Sequence, residues 1–389
     1  MPYHFEDLSL HRIEIRFCMI SGCADGVPQA RDDAGITFCK GMFYGGLMMK
    51  KEIIRTEDAV GKILAHDITR IVKDEFKGSL FKKGHVICQE DVAKLLDVGK
   101  SHIYVLELSG SEVHEDEAGI RLGEAIKGGG VYTQPPKESR VNLFAEHDGV
   151  LKINVDAVQK INDLPLVICA TLPNNTPVRK GQMLAGTKVI PLVVEESDIV
   201  TAEEACREAG WVIEVKPYKK KKVGCVITGS EVYYNRIPDA FAPVITEKVE
   251  HYGSEILEIT YAPDDLDIIS EKILDLKAKG ADVIFTTGGM SVDPDDLTPT
   301  AIKKAGADIV TYGASALPGA MFMMAYLDET PILGVPACGM FFRTTVVDLL
   351  LPRVFADEKI VRRDITSLGV GGLCMQCETC VWPKCTFGK

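Results

Sequence analysis

From residue 223 to residue 356, apolar residues follow two spacings in turn. Residues 223–228 form a continuous apolar run of the kind found in buried strands, whereas Phe241, Ile245 and Val249 recur along one helix face. Three further strand-type runs alternate with helical patterns, at residues 255–261, 282–287 and 331–335. Alternation of strands with helices is typical of a mostly parallel sheet covered by helices on both faces. We therefore predict a three-layer α/β/α domain over residues 223–356.

The chain before this domain has a different pattern. Residues 52–215 contain short apolar runs separated by turn residues, which predicts a β-rich α+β region of one or two subdomains. Strands are predicted at residues 103–106, 166–169 and 189–194, and helices at residues 89–96 and 155–161. Four consecutive lysines at residues 219–222 predict a solvated linker before the α/β domain.

Residues 1–47 show neither strand nor helix periodicity, and they end in Gly45-Gly46-Leu47 directly before Met48-Met49. Two hypotheses account for this segment. Gly-Gly is encoded by GGN-GGN, which in a bacterium could be a ribosome-binding sequence, so the native start would be Met48 or Met49. The alternative is a mobile N-terminal extension.

Composition excludes several classes of function. The formal net charge of −12 argues against nucleic-acid binding, because neutralising phosphates requires a surplus of Lys and Arg. No apolar run reaches the roughly 18–20 residues of a membrane-spanning helix, and no signal-peptide pattern opens the chain. Eight of the twelve cysteines are scattered singly, which favours a reducing compartment. We expect a cytoplasmic protein without membrane or nucleic-acid partners.

Three of the predicted strands end in loops that contain glycine, at residues 228–231, 286–299 and 335–339, and the first two also contain threonine and serine. In open α/β sheets, ligands bind at the carboxyl ends of strands, where helix N-termini present free N–H groups to anions. Glycine lets the backbone approach a ligand, and hydroxyls donate to phosphate oxygens. The loops therefore predict an anion site. Within the second loop, Thr298-Pro299 predicts the N-cap and first turn of a short helix.

The second loop also carries the carboxylates of Asp293, Asp295 and Asp296. Carboxylates repel a phosphate unless a divalent cation lies between them, and Mg²⁺ commonly joins one or two carboxylates to substrate phosphates. The combination predicts a phosphate bridged by Mg²⁺. The alternative is that Gly288-Gly289 is a tight turn and that the aspartates are caps and surface charges.

These loops resemble a known family. The sequences TTGGMSVDPDDLTP at 286–299 and VITGSEV at 226–232 are similar to the molybdopterin-binding domain shared by molybdopterin adenylyltransferases and molybdopterin molybdenumtransferases. The resemblance extends to LPGAMFMMAY at 317–326 and GVPACGMFFRTTVVDLLLPR at 334–353. It implies that the Gly-Gly loop contacts the pterin phosphate. In this family an aspartate usually precedes the glutamate of the first loop, where this chain has Ser230.

The loops and the resemblance together give a set of site residues, of which the resemblance implies Gly288, Gly289, Ser291 and Asp296. The catalytic candidates are Asp296, Asp293 and Glu231, of which the two aspartates would also bind Mg²⁺. The substrate-binding candidates are Thr228, Gly229, Ser230, Thr287, Gly288, Gly289, Met290, Ser291, Thr298, Pro318, Gly319 and Pro336.

A second, shorter resemblance concerns the member of the family. DAVGKILAHDITRI at 58–71 is similar to the opening of molybdenumtransferases, which carry further domains before the pterin-binding one. It implies transfer of molybdate onto adenylylated molybdopterin with release of AMP, in molybdenum cofactor biosynthesis. The alternatives are a noncatalytic carrier that hands molybdopterin to a molybdoenzyme or another biosynthesis protein, and an adenylyltransferase. We expect a homo-oligomer.

The segment 367–389 contains the remaining four cysteines, Cys374, Cys377, Cys380 and Cys385, within twelve residues. Four thiolates suit tetrahedral Zn²⁺, and the first three spacings are similar to an iron–sulfur motif. A metal centre of either kind is therefore predicted in this Cys-rich tail. The alternatives are a mobile tail with incidental cysteines, and soft thiolates that deliver metal or sulfur near the pterin.

Overall fold

The structure is a computed structural model that describes residues 51–72, 76–106, 111–137, 140–191, 193–291 and 293–389. The chain divides between residues 107 and 108 into two compact units. The predicted N-terminal extension, residues 1–47, lies outside the described residues. Within the described ranges, every helix is too short or too polar to cross a membrane.

The first unit is a small α+β fold. Its elements are β1 (Lys51–Arg55), a 3-10 helix (Thr56–Asp58), β2 (Ile63–Leu64), β3 (Ile68–Val72), β4 (Phe76–Phe81), α1 (Gln89–Asp97) and β5 (His102–Leu106). β5 lies between β1 and β2 in one antiparallel sheet, and β3 pairs with β4 in another. The predicted helix at 89–96 and strand at 103–106 are confirmed. The Asp91 carboxylate accepts the N–H of Cys88 at 3.1 Å, which caps the start of α1.

The second unit begins with antiparallel sheets and three helices. Its first elements are β6 (Glu112–His114), α2 (Glu115–Ile126), β7 (Val131–Thr133), β8 (Val141–Ala145), β9 (Gly149–Ile153), α3 (Val155–Asn162), β10 (Val167–Thr171), β11 (Pro177–Val178), β12 (Met183–Val189), β13 (Val193–Glu195), α4 (Glu196–Ala209) and β14 (Ile213–Pro217). The sheets have the orders β10-β12-β8-β7, β11-β9-β14 and β13-β6.

Two of the three predictions for this part of the chain hold. The helix predicted at 155–161 and the strand predicted at 166–169 are confirmed. The single strand predicted at 189–194 is wrong, because β12 ends at Val189 and β13 begins at Val193. Pro191 lies in the gap and has no N–H to donate to a strand ladder.

The second unit continues with the predicted α/β domain. Its elements are β15 (Lys222–Thr228), α5 (Ser230–Tyr233), α6 (Phe241–His251), β16 (Glu255–Ala262), α7 (Leu266–Ala278), β17 (Val283–Thr287), α8 (Thr298–Lys304), β18 (Asp308–Tyr312), β19 (Met323–Leu327), β20 (Thr330–Val335), a 3-10 helix (Ala337–Met340), α9 (Val346–Phe355), α10 (Arg362–Thr366) and a 3-10 helix (Ser367–Gly369). Six strands form one sheet in the order β16-β15-β17-β20-β19-β18. The first four are parallel, whereas β19 is antiparallel to both of its neighbours. The predicted α/β fold class is confirmed.

The central strands are buried on both faces, so successive side chains enter two different cores. On one face, Phe285 of β17 packs in a cluster with Leu350 of α9. On the other face, Ile284 packs in a cluster with Ile273 of α7. Helices on both sides therefore fix the sheet, as the continuous apolar runs of the sequence predict.

The last long helix differs from what the apolar pattern predicts. The apolar residues within 341–351 predict a helix that breaks near Pro352, but α9 runs from Val346 to Phe355 and includes Pro352. The side chain of Asp348 accepts the N–H of Thr345 at 2.8 Å, so a capping box starts the helix four residues after Phe341. Apolar periodicity alone places neither end, because the cap is a polar contact.

A buried cluster of charges holds the end of α9 against β9. The Glu358 carboxylate, with a side chain 8% exposed, lies 2.9 Å from Lys152 Nζ and 2.7 Å from Arg353 Nε. Burial raises the pKa of Glu358, but hydrogen bonds from Arg353 and Lys152 outweigh it and lower the pKa to about 2. The carboxylate therefore stays charged and paired at neutral pH.

The C-terminal tail is folded against the domain, which contradicts the alternative of a mobile tail. Phe387 is 2% exposed and belongs to the core that contains α9. The N–H of Gly388 donates to the carbonyl of Gly371 at 2.9 Å, and a Cβ on Gly371 would lie 2.1 Å from the Lys389 carbonyl oxygen. The glycines before the cysteines thus permit close packing.

Candidate functional site

The three predicted loops meet at one edge of the sheet. β15, β17 and β20 are consecutive neighbours in the sheet and are parallel, so their carboxyl ends lie side by side. β19 runs the other way, so the segment that precedes it, residues 313–322, lies at the same edge. The structure thereby brings together most of the site residues predicted from the sequence.

The Gly-Gly loop, Gly288-Gly289, packs against the end of β15. Gly288 has a φ of +81°, and a Cβ there would lie 2.1 Å from the carbonyl oxygen of Thr228. Gly289 has a φ of +52°, and its Cβ would lie 2.9 Å from Thr298 Oγ1. Both glycines are therefore required by contacts within the protein, in addition to the predicted approach of a ligand.

A small hydroxyl network links the first and second loops. Thr228 Oγ1 donates to the Thr287 carbonyl at 3.0 Å and lies 3.0 Å from Thr298 Oγ1. The prediction that Thr298 caps α8 is wrong, because the N-cap position is Leu297 and Thr298 is the first helical residue. The buried Thr298 hydroxyl instead faces Thr228. Pro299 lies in the first turn, as predicted.

Two further hydroxyls at the end of β17 have unmet hydrogen-bonding capacity. Among the described residues, Thr286 Oγ1 and Thr287 Oγ1 are buried without a hydrogen-bond partner. An unpaired buried hydroxyl costs about 1–3 kcal/mol, so such groups are uncommon away from binding sites. They directly precede Gly288, which fits the predicted site.

The two carboxylates predicted to bind Mg²⁺ lie in one turn. Asp296 Oδ2 accepts the N–H of Asp293 at 2.8 Å, and the Asp296 N–H donates to the Asp293 carbonyl at 3.0 Å. Asp293 is exposed and Asp296 half-buried. No three His, Cys, Asp or Glu side chains within the described ranges are grouped so that they could hold a metal ion. One oxygen of Asp296 and the Asp293 carboxylate remain for a cation shared with a ligand.

The first loop is tied to the end of β16 by a residue that the sequence reasoning missed. The Ser230 N–H donates to Asp264 Oδ2 at 2.8 Å, and the Asp264 N–H donates to Ser230 Oγ at 3.2 Å. Gly229 has a φ of +133°, and a Cβ there would lie 3.0 Å from Glu231 Oε1. Glu231 is exposed. The available signal was a Pro-Asp-Asp sequence directly after a predicted strand.

Tyr312, at the end of β18, is a second residue that the sequence reasoning missed. Its hydroxyl donates to the carbonyls of Met290 at 2.8 Å and Ser291 at 2.9 Å. Burial and the Asp296 carboxylate both raise the pKa of Tyr312, so the phenol stays protonated as a donor. Tyr312 thereby holds the loop after Gly289, whereas Thr228 contacts it at Thr287. A tyrosine at a strand end carries no sequence pattern that marks this contact.

Met290 was predicted to bind substrate, but its side chain lies in the core. It is 4% exposed, and a Cβ on Gly334 of β20 would lie 2.4 Å from its Cε atom. Only the backbone of Met290 is therefore available to a ligand. Ser291, in contrast, is exposed at the loop.

The proline and glycine candidates shape the loops around the start of α9. The Pro318 carbonyl accepts the N–H of Val346 at 3.2 Å, and a Cβ on Gly319 would lie 2.6 Å from Val346 Cγ1. The Pro336 carbonyl accepts the N–H of Gly339 at 2.9 Å. These contacts are structural, and the predicted roles in substrate binding stay predictions.

The four tail cysteines line a single cavity of about 420 Å³, together with Phe341, Phe342 and Trp382. Cys374 and Cys385 are half-buried, whereas Cys377 and Cys380 are exposed. All four are free thiols. The sequence thus anticipates that these residues come together.

Comparison with known proteins identifies the site-bearing region. Residues 224–356 match the family described as "Probable molybdopterin binding domain". Residues 53–107 match a family described as a domain of unknown function. The first match contains all three loops of the candidate site.

Individual relatives carry two different names. The chain is 23% identical over 233 residues to a molybdopterin molybdenumtransferase of Synechococcus elongatus, which covers 56% of each chain. It is 38% identical over 84 residues to a CinA-like protein of Thermosipho melanesiensis, covering 22% of this chain and 21% of that one. The matched regions thus span little more than half of these relatives' lengths at most.

Among solved structures, the molybdopterin biosynthesis enzyme MoaB of Thermus thermophilus is similar, at 20% identity and a TM-score of 0.30. The match covers 36% of this chain and 98% of that chain. Residues 224–356, which contain the three loops, thus match the molybdopterin-binding domain family.

Proposed function

We propose that the chain is a molybdopterin molybdenumtransferase, which inserts molybdate into adenylylated molybdopterin and releases AMP. The observation that carries the proposal is the pairing of the first and second loops through Thr228, Gly288 and Thr298, which builds an anion-binding edge from parallel strands. The similarity to the S. elongatus molybdenumtransferase supports it, because 233 aligned residues exceed the molybdopterin-binding domain itself.

The residues of the Gly-Gly loop have the chemistry to hold the phosphates. Backbone N–H groups of Gly288, Gly289 and Met290 would donate to phosphate oxygens, with Tyr312 and Thr228 keeping the loop in place. A loop fixed by hydrogen bonds from Tyr312 and Thr228 needs little reorganisation when charge develops on the phosphate, which is the condition for electrostatic catalysis. The exposed hydroxyl of Ser291 and carboxylate of Glu231 would contact the ligand at the open side.

The second loop also fits a divalent cation. One Asp296 oxygen is engaged by the Asp293 N–H, which leaves the other oxygen and the exposed Asp293 carboxylate. One or two carboxylates plus substrate phosphates are the usual environment of Mg²⁺. When bound, Mg²⁺ would neutralise charge on the phosphoanhydride. The protein's part is to orient Asp296, which the hydrogen bond to Asp293 does.

The test is AMP release from adenylylated molybdopterin in the presence of molybdate and Mg²⁺, with Asp296→Asn as the variant. The asparagine oxygen can still accept the Asp293 N–H, so the turn is kept while the charge is lost. We expect a rate about 100-fold lower, the effect of removing one group that stabilises transition-state charge. Asp295→Asn is the matched control, because it removes an exposed charge from the same loop. Equal rates in the two variants would remove Asp296 from the mechanism.

One observation favours a noncatalytic molybdopterin carrier as the second candidate. Ser230 stands where the family usually has an aspartate, and its N–H and hydroxyl are both engaged by Asp264. The first loop therefore offers only Glu231 as a carboxylate. Binding of molybdopterin without AMP release would indicate the carrier. Consumption of ATP with unadenylylated molybdopterin would instead indicate an adenylyltransferase.

A further inference from the structure

The cavity lined by the four tail cysteines lies outside the phosphate-binding loops. Its other walls include Phe341, Phe342 and Thr344 from the segment between β20 and α9, and Trp382 from the tail. The cavity has a volume of about 420 Å³ and is open to solvent on the side of the exposed Cys377 and Cys380. The four thiols in its walls indicate a ligand that binds to sulfur, which is a metal ion or a metal cluster.

The tail that forms this cavity is fixed at both ends. The Leu317 N–H donates to the Gly372 carbonyl at 2.7 Å, and the Cys374 N–H donates to the Leu317 carbonyl at 2.8 Å. At the other end, Phe387 is buried in the core beside α9. The thiols between these anchors are therefore held around the cavity by the fold itself, so a ligand would not have to order the tail.

Two of the sulfurs have hydrogen-bond partners. The N–H of Gln376 donates to Cys374 Sγ at 3.4 Å, and Gln376 adopts a φ of +52°. A positive φ is unfavourable for a residue with a side chain, so the turn is held by its surroundings. Thr344 Oγ1 lies 3.2 Å from Cys380 Sγ. Hydrogen bonds to the sulfurs are one of the means by which a protein tunes the cluster it holds.

The cavity suits a cluster better than a single ion. Tetrahedral zinc with Zn–S bonds of about 2.3 Å brings its sulfurs within about 3.8 Å of one another and leaves no space between them. All four cysteines instead line one open cavity of about 420 Å³. A four-iron, four-sulfide cluster fills such a space, and each of its four irons takes one thiolate.

We propose that this cavity binds a four-iron, four-sulfide cluster through Cys374, Cys377, Cys380 and Cys385. Two ferrous ions, two ferric ions and four sulfides carry a charge of +2, and the four thiolates bring the site to −2. Each thiol passes its proton to solvent as its sulfur–iron bond forms, and no electron is transferred. Arg343, which also lines the cavity, would offset part of the negative charge. The proposal does not depend on the proposed transferase activity.

The test uses the full chain purified without oxygen, before and after incubation with ferrous and ferric iron and sulfide. We expect about four irons and four acid-labile sulfides per chain. The visible absorption of iron–thiolate bonds should accompany them, with an electron paramagnetic resonance signal on reduction by dithionite. One zinc per chain without iron, or no bound metal, would overturn the proposal.

The informative variant is Cys377→Ser combined with Cys380→Ser. Both thiols are exposed, so their replacement leaves the core beside α9 intact, whereas Cys374 and Cys385 pack against that core. The double variant should lose the bound iron and sulfide while keeping the wild-type circular dichroism spectrum. Cys88→Ser, which changes an exposed thiol of the first unit, should keep the full iron content. Unchanged iron in the double variant would refute the assignment.

Discussion

The contact between Gly288 and Thr228 makes a quantitative prediction for Gly288→Ala. The new Cβ would lie 2.1 Å from the Thr228 carbonyl oxygen and 2.8 Å from its hydroxyl. Both neighbours belong to the end of β15, which the sheet holds on two sides. The strand end cannot rotate away, so the Gly-Gly loop itself must move.

Two costs add in this variant. A non-glycine residue at a φ of +81° costs about 1–2 kcal/mol. Overpacking against a fixed backbone adds about 1–3 kcal/mol. We therefore expect the free energy of unfolding of the domain to fall by about 2–5 kcal/mol. Binding of molybdopterin should weaken as well, because the loop that carries the donors is displaced.

Gly280→Ala is the matched control in the same domain. Gly280 has a φ of +88°, but no atom lies within 4 Å of the position of its Cβ. The Gly280→Ala variant incurs only the cost of the positive φ. Its free energy of unfolding should therefore fall by about 1–2 kcal/mol, and it should bind molybdopterin as the wild type does. Urea unfolding and calorimetric titration with molybdopterin measure both quantities. Equal losses of stability and affinity in the two variants would refute the role assigned to close packing at Gly288.

Two further predictions concern Tyr312, which contacts the Gly-Gly loop, and Glu358, which pairs with two cations beside α9. Tyr312→Phe removes the hydroxyl that bonds the Met290 and Ser291 carbonyls, and we expect stability to fall by about 1 kcal/mol and the KM for adenylylated molybdopterin to rise. A steady-state assay that gives an unchanged KM would contradict the bracing role. Glu358→Gln removes the only carboxylate among the described residues that pairs with the buried Lys152 and one of the two at Arg353, which keeps Asp364 at 2.9 Å, so we expect a loss of about 3 kcal/mol at pH 7. The folded-state pKa of Glu358, about 2 against 4.5, means that this contribution is present above pH 4.5 and lost towards pH 2. Stability measured across that range should therefore fall more in the wild type than in the variant, and equal slopes would contradict the assignment.

Local signals in the sequence were sufficient for the α/β domain. The alternation of buried strands and amphipathic helices predicts a mostly parallel sheet because each pattern reports the burial of its own segment. The glycine at 288 was also predictable, since a positive φ is a local requirement. The cap of α7 is a local feature too, because the Asp265 carboxylate accepts the N–H groups of Asp267 and Ile268.

Contacts between distant segments could not be predicted in this way. Thr298 has the sequence signature of a helix cap, yet its hydroxyl faces Thr228, seventy positions earlier. The motif places Met290 among the site residues, but its side chain packs in the core, in the space that the missing Cβ of Gly334 leaves open. In both cases a partner brought close by the sheet prevails over the local preference.

The sequence by itself determined the class of the domain and the loops that carry its chemistry, because periodicity, glycine placement and motif residues are properties of neighbouring positions. Only the tertiary structure decided which groups support those loops. Asp264 and Tyr312 reach the site from other strand ends, and their contacts with the loops exist only in the folded sheet. The tertiary structure also decides the arrangement of the tail, although its four cysteines can be read from the sequence. Their arrangement around one cavity exists because Phe387 is buried in a core formed by residues far from it in the chain.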